Sequence, residues 1–177
     1  MLVDSIAMQK ELLVYPPFME PYFAMVPESD VLHALEASGK EWHHLMESVS
    51  THFQDFAYAE GKWTLRQMAQ HVNDTERIFG YRALALARGE KQALPGFDEN
   101  EYARAGRKNL PDWNALLTEF LALRKANYCL FSSLSNEALL QLGTANGSPI
   151  QPMAIGVALA GHVRHHVRIA LERYLNA

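Results

Sequence analysis

The amino-acid sequence predicts an all-α protein: a four-helix bundle with a long connection between helices 2 and 3 and an extended N-terminal arm. Three observations lead there. Four stretches carry apolar residues every three or four positions, the repeat that lines one face of a helix. No stretch alternates apolar and polar residues for long enough to propose a sheet. Pro16, Pro17, Pro21 and Pro27 crowd the first 28 residues, and proline blocks a continuing helix because it lacks the N–H and clashes with the preceding turn.

In chain order, residues 1–28 read as the arm and residues 29–177 as the bundle domain. Tyr15, Phe18, Tyr22 and Phe23 give the arm an apolar side, so it is expected to pack along the bundle or against a second subunit. The first helix should open at Ser29 or Asp30, both good N-caps, and run through Leu32, Leu35, Trp42, Leu45, Val49 and Phe53 to about Phe56. The second opens at Thr64 with Gln67 as its capping-box partner and continues through Met68, Val72, Ile78 and Phe79 towards Gly89. Residues 88–111 are long for a bundle connection, and segments of that size are functional or fold locally. Pro111 or Asp112 starts the third helix, which carries Trp113, Leu116, Phe120, Leu123, Tyr128 and Phe131 to about Leu134. The fourth begins after Pro149 or Pro152 and holds Ile155, Leu159, Val163, Val167, Ile169 and Tyr174. Helices of roughly 22 to 27 residues are about 33 to 40 Å long, one side of a bundle.

Composition narrows the function classes. The 177 residues make about one domain; 16 basic against 20 acidic side chains give a net charge of −4, with 49% hydrophobic and 20% charged residues. A nucleic-acid partner is not expected, because the one basic cluster, Arg104, Arg107 and Lys108, sits beside Asp98, Glu99 and Glu101 and reads as solvated loop. Cys129 is the single cysteine, so no intramolecular disulfide forms, and Tyr128, Leu130 and Phe131 around it predict a buried, inert thiol. Asp4 stands where a secretory signal needs basic residues, and the longest apolar run, from Met153 to Ala160, falls far short of the ~20 residues of a membrane span. A cytoplasmic protein with no membrane partner is expected.

Of the eight histidines, His33, His43 and His44 do not share a face and should meet solvent. Glu41-x-x-His44 matches one half of a carboxylate di-iron motif, but no second pair exists. His162 and His166 differ. Four residues turn a helix by ~400°, so their imidazoles lie about 40° apart and about 6 Å along one face. That face also carries Ile155, Leu159 and Ile169 and points inward, whereas His165 is rotated about 100° away. Two buried imidazoles so placed either converge on one cation or are hydrogen-bonded core residues. The His-Glu-x-x-His pattern of metalloproteases is absent, since Val163 stands at the position of the base. A third ligand would come from another helix. His71, on the Met68–Thr75–Ile78 stripe, is the best candidate, with Asp74 placed to orient it through its free ring nitrogen.

The segments Trp63-Thr64-Leu65-Arg66-Gln67 with His71, Asp74 and Glu76, then Leu94-Pro95-Gly96-Phe97-Asp98-Glu99, and finally Gly161-His162-Val163-Arg164-His165-His166 with Glu172-Arg173-Tyr174-Leu175 closely resemble the DinB-like superfamily, also called DinB/YfiT-like metalloenzymes. The resemblance covers nearly all of residues 29–177. It implies an up-up-down-down-type four-helix bundle with a three-histidine metal site, here His71, His162 and His166. Three neutral imidazoles leave coordination positions for water or substrate, and such an ion generates hydroxide near neutral pH or binds a thiol as thiolate. The family's activities imply a low-molecular-weight thiol S-transferase, a thiol-dependent isomerase or a metal-dependent hydrolase acting on a small molecule. Zinc or nickel is the expected ion, and a homodimer the expected assembly. The alternative is a non-catalytic bundle, stabilised by metal, acting as a stress-response or interaction protein. No general acid or base is evident. Glu76, as a base, and Arg82, eleven residues past His71 on the same face and suited to a substrate carboxylate, are the candidates. Arg164, Arg168 and His165 lie off the metal stripe, and His165 is expected to have a packing or interface role.

Overall fold

Helix α1, Val31–Ser48, begins where Asp30 leaves extended backbone and accepts the His33 N–H at 2.8 Å. The computed structural model describes residues 8–175; the first seven residues of the expected arm, and Asn176 and Ala177 of the expected bundle domain, lie outside it. α1 stops at Ser48 instead of continuing to Phe56. The backbone extends at Val49 and Ser50, and Thr51–Gln54 forms a separate turn. A run of hydroxyl and β-branched residues causes the break: the Ser48 hydroxyl turns back to the Leu45 carbonyl at 2.7 Å, and such side chains compete with the helical ladder.

Helix α2, Leu65–Ala87, carries the predicted capping box, with the Thr64 N–H donating to Gln67 Oε1 at 2.9 Å and the Gln67 N–H to Thr64 Oγ1 at 3.2 Å. It ends just before Gly89, whose φ of +82° suits glycine. Helix α3, Trp113–Ser133, is capped by Asp112. Helix α4, Pro152–Ile169, has proline in its first turn and continues as a π-helical segment over Ala170–Leu175. Both α1 and α2 pack on α3 and α4, so α1 and α2 face each other across the bundle diagonal. Only the link from α2 to α3 joins neighbours.

Every residue of α4 from Pro152 to Val163 is buried. A helix apolar all round needs cover on every side; three sides come from the bundle and the fourth from the arm, where Met19, Phe23 and Val26 are buried. The arm is extended only in part: Lys10–Leu12 and Pro17–Met19 are 3-10 turns and Glu20–Phe23 is one α turn. Pro17 and Pro21 sit in first turns, where the missing N–H has no partner to lose. Gly161 lets the arm approach, because a Cβ there would lie 2.1 Å from the Tyr22 carbonyl oxygen. Arg164 fastens the arm's end, donating to Glu28 at 2.6 and 2.8 Å, to Glu41 at 2.8 to 3.1 Å and to the Met25 carbonyl at 3.1 Å.

The connection between α2 and α3 folds locally. Asp98 caps a helix over Glu99–Gly106, followed by a 3-10 turn at Arg107–Asn109. Arg104, expected in a solvated loop, therefore lies on a helix and pairs with Glu101. A sheet absent from the sequence expectation is also present: β1, Gly143–Ala145, pairs antiparallel with β2, Ser148–Ile150, across Asn146-Gly147, whose φ values are 51° and 73°. Two residues with positive φ make a tight hairpin, and strands of three residues are too short to show a period of two. Leu94 bridges to β1, its N–H donating to the Thr144 carbonyl at 2.9 Å, so the long connection is clipped to this hairpin. Cys129, expected buried, is exposed on α3. Among the described residues no helix is long and apolar enough to cross a membrane.

Candidate metal centre

α4 presents His162 and His166 one turn apart, and α2 presents His71 opposite them. Their ring centroids lie 4.5 to 5.1 Å apart, and one nitrogen from each falls within 4.8 Å of the others. His71 Nε2 is 3.0 Å from His162 Nε2, and His166 Nε2 is 3.1 Å from the same atom. Burial sets the protonation. It pushes His71 down to about 4, and it holds His162 and His166 well below the usual imidazole range, aided by the neighbouring histidines. All three rings are thus neutral near pH 7.

A neutral ring nitrogen carries one hydrogen or one lone pair. His162 Nε2 can therefore serve one of its two neighbours, and the other contact stays unsatisfied. One cation taking a lone pair from each ring satisfies all three together, and nitrogens about 2.0 to 2.1 Å from a shared ion stand about 3 Å or slightly more apart. The donor set fits a divalent ion. The His166 Nδ1 behind it is buried without a partner.

The imidazoles open into a cavity of about 340 Å³. Trp63 lies 5.0 Å from His71, and Tyr22, from the arm, meets His162 edge-on at 5.5 Å. Phe18, Phe79 and Phe97 complete much of the wall. Arg82 lines the same cavity. It is 6% exposed, its Nη2 donates to the Pro95 carbonyl at 2.6 Å, and burial lowers its pKa. Thr75, one turn past His71, points a buried Oγ1 with no protein partner. His165 also reaches the cavity wall, 5.2 Å from the His166 ring and 5.5 Å from Tyr22. The rotation of α4 alone excluded it, and only the arm and α2 closing the outer side bring it to the cavity.

Two candidates go elsewhere. Glu76 is fully buried against Arg124, which donates to both its carboxylate oxygens, and Asn127 Nδ2 donates to Oε2 at 2.8 Å. Five residues past His71 is about 140° around the helix, so the carboxylate faces α3 and not the imidazoles. Asp74 does not orient His71. It accepts from Gln70 Nε2 at 2.9 Å, and burial pushes its carboxyl up.

A model of the DinB superfamily matches residues 34–170. Among solved structures, YfiT from Bacillus subtilis, a probable metal-dependent hydrolase with an unusual four-helix bundle topology, aligns with a TM-score of 0.74 at 18% sequence identity, covering 82% of this chain and 85% of that one. No curated protein matches the chain. With the fold shared and the family model spanning α1 to α4, the chain belongs to the DinB superfamily.

Proposed function

We propose that the chain is a metal-dependent enzyme acting on a small molecule, in which His71, His162 and His166 would hold one divalent ion, zinc or nickel, through Nε2. The observation that carries this reading is the convergence of three neutral imidazoles, two of them buried, on an open cavity. Such an ion polarises a substrate oxygen and lowers the pKa of a bound water or thiol. Hydrolysis is the better-supported reaction, since YfiT, which shares the fold, is a probable metal-dependent hydrolase; S-transfer from a low-molecular-weight thiol would use the same open positions.

The chain's own residues supply the surroundings. Trp63, Tyr22 and the phenylalanines exclude bulk water and bury an apolar substrate body. Thr75 offers a hydroxyl beside the imidazoles, and Arg82 a fixed positive charge further along α2. The test is metal analysis of the protein purified from metal-replete cells, paired with turnover on a panel of esters, amides and electrophiles with and without thiol. One ion per chain with metal-dependent turnover is expected. A full complement of metal with no turnover on any member, and a melting temperature that collapses in His162→Ala, would instead assign the ion to holding the helices together.

A further inference from the structure

The described part of the chain holds three arginines that are largely withdrawn from solvent, and two of them meet carboxylates: Arg124 meets Glu76, and Arg164 meets Glu28 and Glu41. Arg82 has no such partner among the described residues. Its Nη2 rests on the Pro95 carbonyl, its Nε is buried without an acceptor, and the rings of Phe79 and Phe97 lie 5.7 and 5.9 Å from the guanidinium. A buried positive charge is costly unless an anion joins it. This one lines the cavity of the three imidazoles, where it is the only lysine or arginine among the described residues.

We propose that Arg82 binds the carboxylate of the substrate, so that the cavity takes a small monocarboxylic acid with an apolar or aromatic body. One guanidinium matches one negative charge in a planar, two-pronged contact. A dianionic phosphate would keep an unmatched charge and meet Glu99, which lines the same cavity. Position supports the assignment. Eleven residues of α2 span about 16 Å, and Thr75 and Phe79, which lie between, line the same cavity. Because one cavity of about 340 Å³ joins Arg82 to the three imidazoles, a molecule held at one end by Arg82 extends its reacting end towards His71, His162 and His166. The placement of that reacting end rests on the metal-dependent reading above; the anion site does not.

Calorimetry on the chelator-stripped protein at pH 8 separates the two, because the imidazoles are neutral there and no ion competes for the carboxylate. The probes are acetate, benzoate and 3-phenylpropanoate, each against its primary amide, with phenyl phosphate as a further anion. At least one aryl acid should bind tenfold or more tighter than its amide. Arg82→Gln should bring that ratio to within about twofold, and Arg82→Lys should keep part of it. Acids that bind no better than their amides in the wild type overturn the proposal, as does a preference unchanged in Arg82→Gln or tighter binding of phenyl phosphate. If Arg82→Gln does not fold, the wild-type ratios and Arg82→Lys decide. Acid preference in a protein that takes up no metal when reloaded would sink the metal reading and leave the anion site standing; stoichiometric metal without acid preference does the reverse.

Discussion

Glu76 shows how a residue's role follows from where the helix turns its side chain. Its carboxylate answers the Arg124 guanidinium, which also donates to the Leu35 carbonyl at 2.9 Å and to Ser38 Oγ at 2.8 Å, so one buried ion pair ties α1, α2 and α3 together. Removing one partner of a buried pair leaves an uncompensated charge, and Arg124→Ala should lower the stability read by urea denaturation by about 3 to 5 kcal/mol. Glu76→Gln should destabilise while leaving metal content unchanged, as measured by elemental analysis. Tyr174 carries a second prediction. Its hydroxyl donates to the Trp63 carbonyl at 2.8 Å, and burial pushes its pKa up to about 12. A raised pKa gives stability that is complete below pH 10 and lost as the pH rises from 10 to 12, because the unfolded chain releases that proton first. Denaturation midpoints across this window should fall less steeply in Tyr174→Phe than in the wild type. At this scale helical spacing pairs His162 with His166, a helix stripe makes His71 a candidate that the family resemblance adds to them, and Arg82 shows through its place on the His71 face. Tyr22, Phe97 and His165 were not legible as parts of the site, because their approach depends on segments far apart in the chain.

The elements were legible where capping chemistry is explicit. Thr64 with Gln67, Asp112 and Asp30 each mark a start that the structure keeps. Periodicity alone overran the end of α1, since Val49 and Phe53 continue the apolar repeat across a break set by serine and threonine. The hairpin at Asn146-Gly147 is announced by that dipeptide alone, and its importance is tertiary: through Leu94 it fixes the connection that brings Phe97 and the Pro95 carbonyl to Arg82. The arm depends on Gly161. A methyl group there collides with the Tyr22 carbonyl, so Gly161→Ala should lift the arm, lower stability by roughly 1 to 3 kcal/mol, and make residues 8–28 the first site of limited proteolysis. Cleavage at wild-type rate in that variant would show that the contact does not hold the arm.

For the whole molecule, Met19, Phe23 and Val26 of the arm are buried on the chain's own bundle, while Leu12 and Phe18 of the arm stay exposed. The proposed metal site would join α2 to α4, and an ion bound there would selectively stabilise the native state. At a free concentration one hundredfold above its Kd, the ion should add about 2.7 kcal/mol, a rise of roughly 5 to 10 °C in Tm for a domain of this size. Scanning calorimetry with and without chelator reads it. In the metal-free protein, the lowered pKa of His71 means that the unfolded chain takes up its proton near 6.5 and the native chain only near 4. That contribution to stability is complete above 6.5 and lost as the pH falls towards 4. Coordination by three histidines is read most directly by X-ray absorption at the metal edge of the loaded protein. Three imidazole nitrogens at about 2.0 to 2.1 Å, falling to two in His71→Ala, is the predicted result; fewer than three in the wild type, or a metal environment indifferent to that substitution, would contradict it.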